Sequence, residues 1–458
     1  MRVQKRKSVL FLLIFFLMTG FCNSPSHGSG PIPGPAILGF TASEAGMRFG
    51  KPSTAHFLVT FHDLEGAPAA YLFLVTKDQE SIPEDIGECI EEARRTLEEG
   101  EHWIEKGQTQ EGLDLISRSR ALLFQEDRFA TLLVSTENAQ PSLLAFHHGL
   151  PTYVIAKTEA QERAEALSHG KQVIPVGVLY LSPLEYYFEF ETEGQNVLVS
   201  PFHSKIAFRD NLEEDLEPRR LPVSKGPGEC PADLIQRNLY EAPETDQAEA
   251  DLPVQASDPR IIHGVPDYNQ RTSLPNSCGP TAGACLLGHW DTLGYDDFLQ
   301  GAETYDDVTR LIEELCEAMD WNPSSGVNYS RIPAGLRLVI DDRSYEFDIS
   351  NLYGIDSLNI VRQEINAAHP FIYGSQENPW ETAHYVVVVG YQESFIIVHD
   401  NWWSTPTDYF VHWDALGHTD DMMTTLTLQG QEEPPSEPLP SDVGGSGGGC
   451  FISAAAER

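Results

Sequence analysis

Apolar and polar positions near the N-terminus follow two successive patterns. Residues 55–66 and 69–75 are rich in β-branched and aromatic residues and are separated by a short turn, so they predict a β-hairpin. From Pro83 to Leu123 the apolar residues recur at three-to-four spacing, which is typical of amphipathic helices. We expect two such helices, with a break near Gly107.

Short apolar runs return after these helices and are separated by turns that contain Pro and Gly. We expect strands at residues 129–134, 142–146, 153–155, 177–181, 186–191 and 197–199. Together with the helices they predict an α+β domain over residues 37–209, in which helices pack on one antiparallel sheet. His147 and His148 are adjacent in it, but no carboxylate or cysteine is spaced to form a site with them, so we expect packing or surface roles.

The C-terminal part of the chain places helices before strands. We expect helices at 281–290, 304–319 and 356–368, and buried strands at 384–391 and 395–398. The first of these helices contains no acid, Lys or Arg, which predicts that it is buried within a domain. A helix-rich half followed by a strand-rich half predicts a second domain over residues 259–430.

Composition supports packed cores and argues against two classes of partner. The 458 residues are 41% hydrophobic, which is ample for two or three domains. The chain carries 30 Lys and Arg against 69 Asp and Glu, a net charge of −39, which disfavours nucleic acid or an anionic membrane surface as a partner. Many of the acids fall within residues 210–258 beside several prolines, a composition that predicts an acidic linker between the two domains.

Both ends of the chain resemble targeting or processing segments. Residues 1–24 contain basic residues and then an apolar run that is short for a membrane span, which predicts a cleaved export signal. The tail, residues 431–458, is rich in Pro and Gly and resembles C-terminal processing signals of some bacterial surface proteins around Cys450. We expect an exported protein, extracellular, periplasmic or at the cell surface. It would contact a membrane only through an anchor at Cys22 or Cys450. The alternative for the tail is that Cys450 is a free thiol.

The strongest chemical signal is a cysteine at the start of the predicted buried helix. Cys278 follows the loop-and-cap residues Asn276 and Ser277, and Pro280 stands where proline is favoured in a first helical turn. The positive end of the helix dipole and the unpaired N–H groups favour the thiolate, which is the form that attacks a carbonyl. We therefore predict that Cys278 is a nucleophile, and that Cys285 on the same helix is a small buried residue.

A nucleophile needs a base, and His384 opens the first strand of the predicted C-terminal hairpin. The second strand ends at Asp400 and Asn401, and a hairpin would return both alongside His384. Either residue offers an acceptor for the imidazole, so the sequence predicts a Cys–His–Asp/Asn triad with its third member open. Four tryptophans cluster around these strands and either pack in the core or cover the base: Trp380, Trp402, Trp403 and Trp413.

These motifs carry a family resemblance. In order they are Gln270, Asn276-Ser277-Cys278-Gly279-Pro280, His384 before a valine run and Gly390, and Asp400 sixteen residues after His384. The series resembles the bacteriocin-processing, double-glycine type of papain-clan cysteine peptidase over residues 260–429. The resemblance implies a papain-like fold with a cleft between a helical and a β lobe, and it implies that Gln270 donates to the oxyanion. Asn401 stands where that family usually has Pro.

The cysteines predict neither a disulfide framework nor a metal site. Seven are present: Cys22, Cys89, Cys230, Cys278, Cys285, Cys316 and Cys450. One would be lost with the export signal and one is reserved for chemistry, which leaves too few for a framework in an exported chain of this length. No metal-ligand spacing occurs, and we expect no cofactor and no metal.

We therefore predict an exported cysteine peptidase that acts on a peptide or protein substrate. Cys278 attacks the carbonyl, and His384 moves the proton. Asp400 or Asn401 orients the imidazole, and Gln270 stabilises the oxyanion. Two alternatives are a catalytically inactive surface binding protein on a peptidase-like fold and a thiol acyl or amide transferase that uses the same triad. The sequence contains no signal for substrate preference or oligomeric state.

The N-terminal domain has its own hydrophobic pattern and no recognisable catalytic residues. We predict that it restrains the peptidase or assists its folding. The linker residues before Arg260 are best placed to lie over the cleft, because only ten residues separate Arg260 from Gln270. The alternative is an independent adhesion or binding module tethered by the linker.

Overall fold

The computed structural model describes most of the chain between residues 31 and 429. The described ranges are 31–50, 52–77, 81–125, 127–137, 139–169, 171–201, 206–208, 258–271, 273–299, 304–355, 357–375, 384–416 and 421–429. The predicted export signal, the acidic linker up to residue 257 and the tail from residue 431 lie outside these ranges. We call residues 31–208 the N-terminal region and residues 258–429 the C-terminal region.

The N-terminal region alternates helices with antiparallel strand pairs. Its elements are α1 (Pro35–Phe49), β1 (Ser53–His62), β2 (Pro68–Lys77), α2 (Ile86–Glu105), α3 (Thr109–Leu123), β3 (Phe129–Ser135), β4 (Leu143–His148), α4 (Thr152–Leu167), β5 (Ile174–Ser182), β6 (Glu185–Thr192), β7 (Gln195–Val199) and β8 (Ile206–Phe208).

The C-terminal region begins with a short strand and three helices. Its elements are β9 (Arg260–Ile261), α5 (Cys278–Thr292), α6 (Tyr305–Ala318), α7 (Arg331–Asp342), β10 (Phe347–Tyr353), α8 (Leu358–Asn366), β11 (Phe371–Ser375), β12 (His384–Gln392), β13 (Phe395–His399), β14 (Tyr409–His412), a 3-10 helix (Trp413–Leu416) and β15 (Met422–Leu428). Within the described ranges, every helix is too short or too polar to cross a bilayer.

The described strands join one large mixed sheet, so the α+β class is confirmed at this level. The strand order is β10-β15-β11-β12-β13-β14-β4-β3-β2-β1-β5-β6-β7-β8, and β9 pairs with β12. Strand β1 pairs with β5 in the parallel direction at His62 and Leu179, so the N-terminal part of the sheet is not wholly antiparallel as expected.

Strand β12 is buried on both faces, which explains its uninterrupted valine run. Val387 and Val389 face a core shared with α5, α6 and α7. Val386 and Val388 face a second core shared with α8. Because side chains alternate along a strand, this apolar run fixes which face meets the helix that carries Cys278.

The two regions meet edge to edge in the sheet. Strand β14 pairs antiparallel with β4, with Phe410 opposite Phe146. The Phe146 ring stacks on Phe410 at a centroid distance of 4.4 Å and lies edge-on to Phe395 at 5.1 Å. The Arg48 guanidinium lies 4.4 Å from the centroid of the Phe146 ring. The described strands of the two regions thus share one sheet, and aromatic residues of both regions pack together at the junction.

Local pattern located most elements, with two errors in the N-terminal region. The predicted strand at 153–155 is wrong, because these residues lie in α4. Their β-branched and aromatic side chains favour a strand locally, but Ala156, Ala160 and Ala164 continue at helical spacing and bury one face against the sheet. Helix α1, residues Pro35–Phe49, was not predicted from the sequence.

Phe146→Ala should lower the free energy of unfolding by about 3–5 kcal/mol, because a buried aromatic ring at the junction of the two regions would leave a cavity. Phe146 is 4% exposed. Urea unfolding of the full chain measures the change. Leu338→Ala is the control, since Leu338 is 60% exposed and should change stability by no more than about 0.5 kcal/mol. A loss below about 1 kcal/mol at Phe146 would show that the junction is not tightly packed.

Candidate active site

Helix α5 begins at Cys278 after a tightly held loop. Asn276 has a φ of 58°, in the left-handed region where asparagine is favoured among non-glycine residues. Its amide donates to the carbonyl of Pro323 at 2.7 Å, and the Trp321 indole N–H donates to the carbonyl of Pro275 at 3.1 Å. The loop that delivers the cysteine is therefore fixed by the segment between α6 and α7.

The first turn of α5 lies directly against the start of β12. A Cβ at Gly279 would come within 2.8 Å of Ile332 and 3.3 Å of the Tyr385 ring. Tyr385 follows His384, and its backbone contributes a hydrogen bond to Cys278. Glycine after the cysteine thus permits the close approach that brings the thiol to the residue next to the candidate base.

The Cys278 thiol is deeply buried, with 4% of the residue exposed. Burial raises its pKa to about 11, although backbone hydrogen bonds from Tyr385, Gly279 and Cys278 itself lower it. The charge of Glu185, at the start of β6 in the N-terminal region, raises it further. The expected preference for thiolate at the helix terminus is therefore outweighed by desolvation, and the thiol is neutral at pH 7 in this structure.

His384 is also buried, and Trp402 covers it. The two rings stack with centroids 5.9 Å apart and planes 22° from parallel. Burial lowers the pKa of His384 to about 4, while a hydrogen bond with the Asp400 backbone raises it. The imidazole is therefore neutral at pH 7 and able to accept a proton. The expectation that a tryptophan covers the base is met by Trp402; Trp413 packs in the core, and Trp380 lies outside the described residues.

The predicted hairpin returns Asp400 alongside the start of β12. Val387 pairs with His399, so in the same register Asp400 comes opposite Val386, two residues after His384. One oxygen of the Asp400 carboxyl accepts hydrogen bonds from the Thr405 hydroxyl and, at 3.2 Å, from the backbone N–H of Trp402. Burial raises the pKa of Asp400 to about 7, and the Thr405 hydrogen bond opposes this shift.

Asn401, the other candidate for the third position, is occupied elsewhere. Its amide donates to the carbonyl of Tyr385 at 3.0 Å, and its side-chain oxygen accepts from the Cys285 thiol at 3.5 Å. Its backbone carbonyl accepts from the N–H of Gln270 at 3.0 Å. Asn401 thus ties the Gln270 segment to the hairpin, and Cys285 is fully buried, as expected. Between the two candidates, Asp400 contacts His384, and it does so through its backbone rather than its carboxyl.

Gln270 presents an unused donor. Its side-chain Nε2 is buried and has no hydrogen-bond partner among the described residues. A buried amide without an acceptor is unfavourable unless some other group completes it, so its presence calls for an explanation. The Gln270 backbone is bonded to Asn401, the residue after Asp400, which ties this segment to the end of β13.

Two further observations concern what surrounds the site. Within the described ranges, no three His, Cys, Asp or Glu side chains group as a metal site. Arg260 and Ile261 pair with Tyr391 and Gly390, at the end of β12 remote from His384. The linker residues that we expected over the cleft lie, up to residue 257, outside the described residues.

Sequence analysis missed the residues that support Asp400. Thr405 lies five positions after it in a loop without a motif. Arg120 lies on α3, some 280 residues earlier, and lowers the pKa of Asp400. Glu185, whose charge raises the pKa of Cys278, belongs to the N-terminal region as well. Nothing local in the sequence joins these positions to the triad, because only the shared sheet brings them together.

Asp400→Asn should stabilise the protein by an amount that grows with pH. The folded chain retains a proton on Asp400 up to about pH 7, whereas the unfolded chain releases it near 3.8. The Asp400 carboxyl therefore lowers the stability of the folded chain as pH rises from about 3.8 to about 7. Asparagine does not ionise, so the variant does not lose this stability. The variant-minus-parent difference in unfolding free energy should reach up to about 4 kcal/mol above pH 7.

Urea unfolding from pH 4 to 8 measures this difference. The buried histidines His147 and His384 titrate with the opposite sign in the same window, but they are present in both chains and cancel. Asp342→Asn, at an exposed carboxyl on α7, is the control for removal of a carboxyl that is not buried. A flat difference for Asp400→Asn would show that the carboxyl ionises as readily in the folded chain as in the unfolded one.

Comparison with known proteins found one family and one solved structure similar to the C-terminal region. Residues 262–419, about a third of the chain, match the model of the Peptidase_C39 like family. No curated protein sequence matches the chain. Among solved structures, the peptidase domain of Streptococcus ComA, described as a bi-functional ABC transporter involved in a quorum-sensing pathway, is 18% identical. That match covers 35% of this chain and 97% of that chain, with a TM-score of 0.26. Residues 262–419 thus match a cysteine-peptidase family, and the resemblance to bacteriocin-processing peptidases of the papain clan is confirmed for this part of the chain.

Proposed function

We propose that the protein is an exported cysteine peptidase that hydrolyses peptide bonds. The observation that carries the proposal is the placement of Cys278, at the start of a helix, against the backbone of the residue that follows His384. Asp400 contacts the same histidine from the adjacent strand. A nucleophile, a base and an orienting group in this order are what thiol acyl chemistry requires.

The neutral states of the two reacting groups define the first step. As Cys278 attacks the peptide carbonyl, its proton passes to the neutral imidazole of His384. Asp400 holds the imidazole and, when ionised, stabilises the imidazolium that forms. The amide of Gln270 and the backbone N–H of Cys278 donate to the oxyanion, which gives the buried, unused Nε2 donor its acceptor.

The remaining steps return the enzyme to its starting state. The imidazolium of His384 protonates the leaving amine, and a thioester to Cys278 remains. Water then attacks the thioester while His384 accepts its proton, and the acid product leaves as the thiol is restored. An amine in place of water would give the transferase reaction, and analysis of products formed with added amines separates the two outcomes.

One observation favours an inactive binding protein as the second candidate. Cys278 and His384 are both buried, and the thiol is neutral at pH 7. A chain that had lost turnover would keep such a closed site. Mass spectrometry during incubation with peptide distinguishes the two candidates, because an active enzyme forms an acyl adduct on Cys278 and a chain that has lost turnover forms none.

The proposal includes the organisation inferred from the sequence. The peptidase domain covers residues 259–430 and follows an N-terminal α+β domain, residues 37–209, and an acidic linker. Export rests on the segment at residues 1–24, and the substrate is a peptide or protein. The charge of −39 supports a surface that does not bind nucleic acid.

Cys278→Ala should abolish peptide hydrolysis in the full chain, because no other described thiol contacts the start of β12. Cleavage of a peptide library, followed by mass spectrometry, measures the activity. Cys89→Ala is the matched control, since Cys89 is half-buried on α2, and it should retain the parent rate. If Cys278→Ala cleaved peptides as fast as the parent, the assignment of the nucleophile would be wrong.

Gln270→Ala should lower kcat by about 100- to 1,000-fold with little change in KM, because the lost donor acts on charge that develops only in the transition state. Steady-state kinetics on the best library peptide measure both constants. Gln363→Ala, an exposed glutamine on α8, serves as the control and should match the parent. An equal rise in KM with kcat unchanged would assign Gln270 to substrate binding instead.

A further inference from the structure

The loop that follows Asp400 is held by residues of the N-terminal region. The Thr152 hydroxyl donates to the carbonyl of Ser404 at 3.1 Å, and Arg120 donates to the carbonyl of Thr405 at 3.0 Å. Trp403 packs against a buried cluster of the N-terminal region. These partners lie outside the segment, residues 262–419, that matches the peptidase family. The segment therefore does not by itself contain everything that fixes this loop.

Arg120 makes the most extensive of these contacts. Besides the Thr405 carbonyl, its guanidinium donates to Asp267 at 2.8 Å, to Asn269 at 3.0 Å and to the Thr407 hydroxyl at 3.3 Å. The side chains of Arg120 and Asp267 are only 17% and 7% exposed. A planar guanidinium with several donors bridges fixed acceptors in a way that a single ammonium does not. Arg120 thus joins two separate segments of the C-terminal region.

Thr405 connects Arg120 to the candidate triad. Its carbonyl accepts from Arg120, and its hydroxyl donates to the carboxyl of Asp400. Asp400 in turn contacts His384 through its backbone. The path from Arg120 in the N-terminal region to the Asp400 carboxyl therefore runs through direct hydrogen bonds, and the Asp400 backbone adjoins His384.

Charge links Arg120 to Asp400 as well. The titratable and charged groups that face Asp400 from the surrounding elements are Arg120 on α3, Asp267 in the segment before α5, His384 on β12, Tyr186 on β6 and Tyr409 on β14. After burial, Asp267 raises the pKa of Asp400, whereas Arg120 lowers it. Since that pKa is about 7, loss of one positive charge decides whether the carboxyl is ionised at neutral pH.

We propose that Arg120 is a positioning residue of the candidate active site, which it serves from the N-terminal region by fixing Thr405 and the carboxyl of Asp400. The proposal rests on the proposed function, in which Asp400 supports His384. It follows that the N-terminal region completes the active site and is part of the working enzyme. Removal of this region would then lower activity, whereas an inhibitory pro-domain would raise it on removal.

The test compares four full-length chains: the parent, Arg120→Met, Arg120→Lys and the control Arg118→Met. Arg118 lies on the same helix and its side chain is 67% exposed, and Arg118→Met removes the same charge. In Arg120→Met, the pH at which kcat/KM falls on the acidic side of its profile should rise by about one unit. This shift lowers kcat/KM at pH 7 by about fivefold. Arg120→Lys should show the same acidic limb of the kcat/KM profile as the parent but a lower turnover. Lysine retains the positive charge but lacks the planar guanidinium that bridges several acceptors. Arg118→Met should match the parent.

A readout without substrate separates this proposal from the proposed function. The rate of Cys278 alkylation by iodoacetamide, followed by peptide mass spectrometry across pH, should show the same displacement in Arg120→Met. If the parent cleaves no peptide, the proposed function fails, while the alkylation profiles still test Arg120. If Arg120→Met and Arg118→Met give the same profiles in folded chains, the proposal is wrong.

A second pair of variants covers the case in which Arg120→Met does not fold. Thr405→Val removes the hydroxyl that bonds to Asp400, and Thr405→Ser keeps it. The valine variant should shift the acidic limb of the kcat/KM profile to higher pH, because the Asp400 carboxylate loses a hydrogen-bond donor. The serine variant should show no such shift. Identical pH profiles for these two variants would contradict the proposed path through Thr405.

Discussion

A carboxyl group buried beneath a loop is the constraint on which this site depends. Asp400 is 3% exposed, and a charge in that position is stable only with donors around it. Those donors are the Thr405 hydroxyl and the Trp402 N–H, both in the loop from residue 402 onward. That loop is held in turn by Arg120 and other residues of the N-terminal region. Sheet pairing between β4 and β14 is thus linked to the chemistry at His384.

The same region also disfavours the thiolate. Leu184, in the turn between β5 and β6, packs into the C-terminal core beside β12, and the charge of Glu185 raises the pKa of Cys278. With Trp402 stacked on His384, the two candidate residues Cys278 and His384 are both buried and neutral at pH 7. Low water content strengthens every electrostatic contact once a substrate enters. In the proposed enzyme, one interface would therefore both complete the site and suppress its resting reactivity.

Features with a local signal could be predicted from the sequence, and features built by long-range contacts could not. Helix α5 with its leading cysteine and the hairpin from His384 to Asp400 follow from apolar runs and spacing. Helix α4 was mistaken for a strand because burial against the sheet, rather than local preference, decided its conformation. The sequence suggested a low pKa for Cys278 from the helix terminus, and only the fold shows that burial dominates.

The central claim is that Cys278 forms a covalent bond to substrate in a site that both regions build. The most direct measurement is mass spectrometry of the full chain after rapid acid quench during peptide turnover. The account predicts an acyl adduct on Cys278 that appears within the first turnover and decays as peptide is exhausted, and that is weaker in Arg120→Met at pH 7. Peptide cleavage without any adduct on Cys278 would contradict it.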